Sequence, residues 1–346
     1  MKRIRNYFGR IGRFGVALVV VFGGFLLCSS CGRKQKTDDF IAPSKGIPYE
    51  LLLVVDKPVW ESAVGDTLQA ILKGSVPGLP QHEPMFKLLR VFPENYVQMY
   101  VTMRNTLFVR LNSETPRPRM GVAYNVQARP QIYVTVEGPD LKSLGTFLWE
   151  NRQKLTDLFV EEELQLEANR LRKKYHRKVD QDVRALFGYS VKVPEEIRAT
   201  KKAENFLWAS TNLNDKDLNF VMYTFPYDSR ELLDKTYWVC KRDSVLKRNI
   251  PGSEPDQWMT TTWEENMPIV ELRERNLDGQ HVWELRGLWE LRHGGIGGPF
   301  VSLARLDSVK GRFVVCEGFV YSPRTNKRNL MRRMEAALRT LERVER

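Results

Sequence analysis

The stretch Trp283-Glu284-Leu285-Arg286-Gly287-Leu288-Trp289-Glu290-Leu291-Arg292 alternates apolar and charged side chains. Successive side chains of a β-strand point to opposite faces of a sheet, so Trp283, Leu285, Trp289 and Leu291 share one face and the charged residues share the other. The pattern predicts a long strand whose two tryptophans lie in the core. The alternative is a tryptophan pair that faces a ligand, as in glycan binding.

The second half of the chain surrounds this strand with further strand and helix patterns. Runs rich in β-branched and aromatic residues predict strands at 220–225, 259–263, 269–275, 300–306 and 312–316. Apolar residues at helical spacing predict a helix through Tyr237 and Val245, and a C-terminal helix from about Asn326. We expect the C-terminal helix to dock on the sheet and to present a basic outer face.

The first half shows a similar order of elements. A buried-strand run at 49–55 precedes a helical pattern at 59–72, a Pro-Gly loop at 76–80 and strands at 86–91, 96–104, 107–111 and 131–137. The second half has its own Pro-Gly loop at 250–255. We therefore predict an α+β fold of two related antiparallel-sheet units, each running strand-helix-several strands-helix, which arose by internal duplication.

A helical segment joins the two units. Residues 146–187 contain neither Gly nor Pro, and they predict two packed helices with a break near Glu161-Glu162-Glu163. The predicted organisation is a signal peptide at 1–30, a flexible tether at 31–48 and a first unit at 49–160. A helical connector with a linking strand follows at 161–204, and a second unit with the C-terminal helix occupies 205–346.

The amino terminus has the anatomy of an export signal. Five basic residues precede an apolar core at 14–27, and Ser29 and Ser30 lead to Cys31. Residues 1–31 resemble the bacterial lipoprotein signal, which implies that Cys31 is acylated and becomes the mature amino terminus. In Bacteroidetes lipoproteins, acidic residues directly after this Cys tend to accompany transfer to the cell surface. Arg33, Lys34 and Lys36 stand there in this chain, so the resemblance favours the periplasmic face of the outer membrane.

The net charge fits an envelope protein. The 346 residues carry a formal charge of +12, and removing five basic signal residues leaves 12 minus 5, or +7. After export the basic surface faces anionic lipid or polymer, so we expect no nucleic-acid partner. Ordinary solubilising charge is the competing interpretation.

No motif in the sequence fixes a reaction. The residues His82, His176, His281 and His293 form no metal-ligand spacing, and no nucleophile elbow occurs, so we expect no metal and no cofactor. The stretch 294–299 supplies candidate binding residues Gly294, Gly295, Gly297 and Gly298. It lacks the Lys-Ser/Thr of a phosphate-binding loop, and a strand-connecting loop is favoured over a phosphate cradle.

Two cysteines and two arginines complete the candidate residues. Cys240 and Cys316 could form a disulfide in an oxidising compartment, or they could be two buried free thiols. Arg332 and Arg333 of the C-terminal helix are candidates for contact with an anionic polymer or lipid.

A second resemblance spans the mature chain. It is carried by 287–290 (GLWE), 297–302 (GGPFVS), 317–323 (EGFVYSP) and Lys327-Arg328. These phrases resemble an uncharacterised family of Bacteroidetes lipoproteins with a domain of unknown function. The resemblance implies location and a common fold, and it assigns no reaction.

Three functional hypotheses follow. The first is a non-catalytic envelope lipoprotein that binds or scaffolds a partner. The second is an enzyme with a cleft between the two units, walled by 294–299 and His293. The third is a basic binder of anionic envelope polymer or lipid.

Overall fold

The computed structural model describes residues 41–227, 234–277 and 279–344, which belong to one compact unit that begins at Ile41. The predicted signal peptide, Cys31 and most of the predicted tether lie outside the described residues. Among the helices that are described, none is both long and apolar enough to cross a membrane.

Five strands form the first sheet: β1 (Glu50–Val55), β2 (Lys87–Val91), β3 (Asn105–Leu111), β4 (Arg119–Tyr124) and β5 (Ile132–Gly138). Their order is β2-β1-β3-β5-β4. β1 runs parallel to β2 and β3, β3 runs parallel to β5, and only β4 pairs in the antiparallel sense. The predicted antiparallel first sheet is therefore wrong. The uninterrupted apolar run of β1 is the mark of a parallel strand that is buried on both faces.

The second sheet is antiparallel, as predicted. Its strands are β6 (Ala199–Ala203), β7 (Phe206–Ser210), β8 (Asp217–Pro226), β9 (Met259–Thr261), β10 (Val270–Leu277), β11 (Gln280–Leu291), β12 (Gly297–Asp307) and β13 (Arg312–Tyr321). The order is β9-β11-β12-β13-β8-β7-β6, with β10 also paired to β11. The α+β class is confirmed, and the two sheets differ in strand direction, since the first is mostly parallel and the second is antiparallel.

Six helices of ten or more residues cover the described sheets: α1 (Ala63–Leu72), α2 (Leu141–Glu150), α3 (Arg152–Lys173), α4 (Arg177–Phe187), α5 (Lys235–Asn249) and α6 (Arg328–Leu338). α3 continues through residues 161–163, so the predicted break there is wrong. The helical segment breaks instead at Asn151 and after Lys173. His176 caps α4 by accepting a hydrogen bond from the Val179 amide, and Gly188 ends that helix in the left-handed conformation.

Shorter elements complete the fold. Single helical turns occupy Lys57–Trp60 and Gln98–Val101, and a 3-10 turn occupies Pro93–Asn95. The turn at Gln98–Val101 lies where a strand is predicted at 96–104, so that predicted strand is wrong. Two-residue strands pair Ala42–Pro43 with Ala128–Arg129, Trp263–Glu264 with Met267–Pro268, and Tyr189–Ser190 with Glu342–Arg343.

The second sheet is covered on both faces. α5 packs on one face, where Trp238 and Leu246 meet Leu285 and Trp289. The prediction that Trp289 belongs to the core is confirmed, because it is 5% exposed. α4 and α6 pack on the other face.

Helix α6 joins the two halves. Met334 and Leu338 belong to the core of the second sheet, whereas Ala336 and Ala337 belong to the core of the first. The predicted basic outer face is wrong, since α6 is inserted between α3 and the second sheet and most of its residues are buried.

Candidate functional site

A cleft of about 730 Å³ opens where the two halves meet. α3 forms one wall, and the ends of β4 and β10 contribute the opposite side. The lining is mixed in polarity: Tyr124, Gln153, Lys154, Asp157, Leu158, Glu161, Glu162, Gln165, Asn276, Leu277, Arg305 and Arg339. Its volume falls in the usual range for small-molecule sites, so the cleft is the leading candidate site.

A closed ring of alternating charges borders this cleft, and we call it the charged ring. It runs Glu335, Arg286, Glu284, Arg275, Glu161, Arg339 and back to Glu335. Three glutamates and three arginines therefore neutralise one another. Because Glu161 lies on α3, and the other members lie on β10, β11 and the end of α6, the ring ties the two halves together.

The inner side of the ring is buried. Glu284 and Glu335 are each 1% exposed. Arg286 bridges them, since its Nε donates to Glu284 Oε1 at 2.7 Å and its Nη2 donates to Glu335. Arg332 supplies a further cation, with Nη1 donating to Glu335 Oε2 at 3.0 Å.

The outer side of the ring faces the cleft. Glu161 accepts hydrogen bonds at 3.0 Å from Arg275 Nη2 and from Arg339 Nη2. Arg339 Nη2 also lies 3.5 Å from Glu335 Oε1, which closes the ring. Arg275 Nη1 lies 3.8 Å from Glu284 Oε2.

The surroundings favour the charged forms of two buried members of the ring, Glu335 and Arg286. Burial raises the pKa of the Glu335 carboxyl, but the charges of Arg286, Arg332 and Arg339 outweigh burial and hold this pKa below its usual range. Burial lowers the pKa of Arg286, and the charges of Glu335 and Glu284 more than compensate, so that pKa is raised. Glu335 and Arg286 are therefore held as a buried ion pair.

The remaining carboxylates of the cleft have separate environments. Asp157 accepts a hydrogen bond at 2.8 Å from Gln153, one helical turn away. Burial, followed by the charge of Glu163, raises the pKa of Glu162. Glu163 itself is held by Arg104 and by the Asn105 amide, at 3.1 and 2.7 Å.

A second cavity of about 460 Å³ adjoins the cleft. Arg305 and Arg339 line both, and the second cavity adds Arg172 and Arg343 on the basic side and Asp307 and Glu342 on the acidic side. Its Asp307 is 2% exposed and lies 3.4 Å from Arg312 and 3.5 Å from Arg343.

The glycine-rich stretch lies in a hairpin turn between β11 and β12. Gly297 pairs with Glu290, and Gly298 pairs with Trp289. A Cβ at Gly298 would lie 2.1 Å from the Val320 carbonyl oxygen, so close strand packing requires this glycine. The interpretation as a strand-connecting loop is confirmed. Gly294 and Gly295 form the turn itself, and Gly295 has a φ of +69°.

The predicted wall of an enzymatic cleft is wrong. His293 Nδ1 lies 2.8 Å from Asp256 Oδ2 at an exposed position, and neither 294–299 nor His293 lines the cleft. In the described part of the chain, no group of three or more His, Cys, Asp or Glu residues is placed to hold a metal ion.

The two candidate arginines of α6 are engaged in ion pairs. Arg332 is 6% exposed and binds Glu335. Arg333 Nη2 donates to both carboxylate oxygens of Glu196, at 2.8 and 2.9 Å.

Of the two alternatives for Cys240 and Cys316, the structure has free thiols and no disulfide between them, and the expectation of burial holds for Cys316 alone. Cys316 lies in the core on the α6 side of the second sheet, whereas Cys240 belongs to α5 on the opposite side. The sheet therefore separates the two thiols. Cys316 is buried, which raises its thiol pKa to about 12, and Cys240 is exposed.

Sequence reasoning missed the charged ring. The alternation in 283–292 correctly separates Glu284 and Arg286 from the tryptophan face, but alternation alone does not tell whether the charged face is solvated or covered. Both faces of this sheet are covered, so the charges had to be paired. The available signal was the equal number of acids and arginines on that face.

Two family models match the chain, and both are described as domains of unknown function. Residues 44–172 match DUF8532, and residues 176–340 match DUF4837. Together they support an uncharacterised domain family. No curated protein matches the chain.

Several solved structures are distantly similar to part of the chain. Cyanobacterial PsbP from Synechocystis sp. PCC 6803 is 10% identical over 45% of this chain and 86% of its own, with a TM-score of 0.31. The Saccharomyces cerevisiae Ran-binding protein Mog1p is 11% identical over 46% and 91%, with a TM-score of 0.29. LpqN, involved in cell envelope biogenesis of Mycobacterium tuberculosis, is 13% identical over 44% and 81%, with a TM-score of 0.27. Similarity this low says nothing about function.

Proposed function

We propose that this protein is a lipid-anchored binding or scaffolding module of the cell envelope and not an enzyme. The observation that carries the proposal is the charged ring. Glu161 and Arg339 line the cleft, Arg275 contacts Glu161, and the three residues are held together by ion pairs. Groups held in this way position the walls of a cleft.

The ring also gives the module a fixed shape. It connects α3 to the second sheet, and α6 lies in both cores. Glu161 is partly exposed, so its pairs with Arg275 and Arg339 contribute less than buried pairs would. The main opposition to relative movement of the halves comes from α6, whose residues belong to both cores. A cleft with rigid walls suits recognition of a partner without closure.

The anchor in this proposal is the acylated Cys31, on the periplasmic face of the outer membrane. The signal-like residues 1–30 and the basic residues after Cys31 support it. Several acyl chains on one residue hold a protein firmly, because each buried methylene contributes about 0.8 kcal/mol.

The test has two arms. Mass spectrometry of the amino-terminal peptide from membrane-purified protein should show acyl chains on Cys31, and Cys31→Ala should release the protein from the membrane. Photo-crosslinking in cells from position 165, in the cleft, should give a discrete adduct that the same probe at exposed Lys216 does not give. An unmodified Cys31 would overturn the anchor. Turnover of a substrate by the pure mature protein would overturn the non-catalytic assignment.

A further inference from the structure

We propose that Arg305 is an anion-binding residue, which holds the carboxylate or phosphate group of a small polar ligand where the two cavities meet. This inference rests on the proposed function as a binding module, and it names the class of ligand. The position of Arg305 is particular, because it and Arg339 are the arginines that line both cavities.

The hydrogen-bonding capacity of Arg305 is largely unused. Its Nη1 donates to the Leu341 carbonyl oxygen at 3.1 Å, and its Nε is buried without a hydrogen-bond partner. No carboxylate among the described residues forms an ion pair with it. A guanidinium has five N–H donors in a planar fork that fits a carboxylate or a phosphate. An anion from solution would fill the donors that the protein leaves open.

The neighbouring arginines differ from Arg305. Arg339 is already bound by Glu161 and Glu335, and Arg343 lies 3.5 Å from Asp307. The charges of Arg339 and Arg343 are already paired with carboxylates of the protein. Arg305 is thus the guanidinium at this junction whose charge is not balanced by a neighbouring acid.

A second available cation lies in the smaller cavity. Arg172 is exposed on α3, and its Nη1 donates to the Asn169 amide oxygen at 3.0 Å and not to a carboxylate. Four arginines and two acids line this cavity, so its lining has an excess of positive charge. Because Arg339 and Arg343 are paired with carboxylates, this excess is carried by Arg172 and Arg305, with Glu342 as the remaining acid of the lining.

The larger cleft defines the rest of the ligand. Its lining balances three cations against three acids, so it gives no preference for net charge. The amides of Gln153, Gln165 and Asn276 can exchange hydrogen bonds with hydroxyl or amide groups, and Leu158 and Leu277 supply apolar contact. The expected ligand has one anionic end, in the smaller cavity, and an uncharged polar body in the cleft.

Calorimetric titration of the full mature chain in detergent tests this. The probes are glucose 6-phosphate against glucose, and acetylated alanyl-alanine against its amide. We expect one anionic probe to bind at least about tenfold more tightly than its neutral counterpart, and Arg305→Gln to weaken it by about tenfold or more. The pair that shows the difference distinguishes phosphate from carboxylate.

Two further variants control the experiment. Arg172 is exposed, so we expect Arg172→Gln to keep the fold intact and to weaken binding severalfold. This variant tests the inference even if Arg305→Gln does not fold. Arg170→Gln, on the same helix but outside both cavities, should bind like the wild type. The inference is overturned if neither anionic probe binds at about 10 mM, or if binding survives both variants unchanged. If Cys31 is not acylated, or if the protein turns over a substrate, the proposed function fails. The measured affinities for the anionic probes would still test the role of Arg305.

Discussion

Arg242 of α5 and Glu317 of β13 form a bidentate ion pair inside the second half of the protein. Arg242 Nη2 donates to Glu317 Oε1 at 2.7 Å, and Arg242 Nε donates to Glu317 Oε2 at 2.9 Å. Both residues are at most 1% exposed, and the Phe300 ring lies 3.8 Å from the guanidinium carbon. This pair lies on the face of the sheet opposite the charged ring, so charges are buried on both faces.

Removing one partner of this pair should destabilise the protein far more than removing both. Arg242→Met leaves the Glu317 carboxylate buried without its cation, and we expect a loss of about 3 to 5 kcal/mol in the free energy of unfolding. The double variant Arg242→Met with Glu317→Leu should recover a large part of that loss. Urea unfolding of Arg242→Met, Glu317→Leu and the double variant measures the coupling, and additive losses would show that the pair is not coupled.

The change in the free energy of unfolding at acidic pH should depend on Glu137. Hydrogen bonding to Arg119 and Arg110 outweighs burial and lowers the Glu137 pKa to about 2. A folded pKa below the unfolded value stabilises the native state above about pH 4.3, and this contribution is lost as the pH falls toward 2. Glu137→Gln should therefore flatten the dependence of unfolding free energy on pH below about 4.3. Exposed Glu114→Gln is the control, and an unchanged slope in Glu137→Gln would contradict the assignment.

The two thiols should react at very different rates. Cys240 is exposed and should react promptly with a thiol reagent in the native mature protein. Cys316 is buried with its thiol pKa raised to about 12, so it should react only after unfolding. Reagent titration before and after denaturant measures this difference. A disulfide found under non-reducing conditions would contradict the separation of the two thiols by the sheet.

Gly298 should not tolerate a methyl group. Because a Cβ there would lie 2.1 Å from the Val320 carbonyl oxygen, the strands must shift in Gly298→Ala, and we expect a loss of about 1 to 3 kcal/mol. A Cβ built at Gly121 in β4 would meet no other group within 4 Å, so Gly121→Ala should be neutral or slightly stabilising. Equal unfolding free energies for the two variants would argue against the close approach.

Local sequence patterns predicted most helices and strands well, but they predicted less well which strands pair and in which direction. The alternation in 283–292 locates β11 and its core face, because burial on one side leaves a period of two in the sequence. The uninterrupted apolar run of β1 predicts a strand that is buried on both faces, which is typical of parallel sheets, but it does not identify the strands beside it. The direction of pairing depends on the connections, and here they allow crossovers between β1, β2 and β3.

The candidate site depended on long-range packing and could be predicted only in part. Glu161 looks like one of three adjacent surface acids on a helix, and its role comes from Arg275 and Arg339, which are more than 100 residues away in sequence. Arg305 stands in a strand whose other residues are mostly core. Nothing local to either residue indicates that they line the same cleft.

The position of α6 in the chain has a consequence for biosynthesis. Ala336 and Ala337 complete the core of the first sheet, although that sheet ends at Gly138. During synthesis, 337 minus 138, or 199, residues must emerge after β5 before this core can close, so the first half waits for a late segment. A truncation before residue 328 would leave apolar surface exposed on both halves, and the newly made chain would depend on chaperones until α6 arrives.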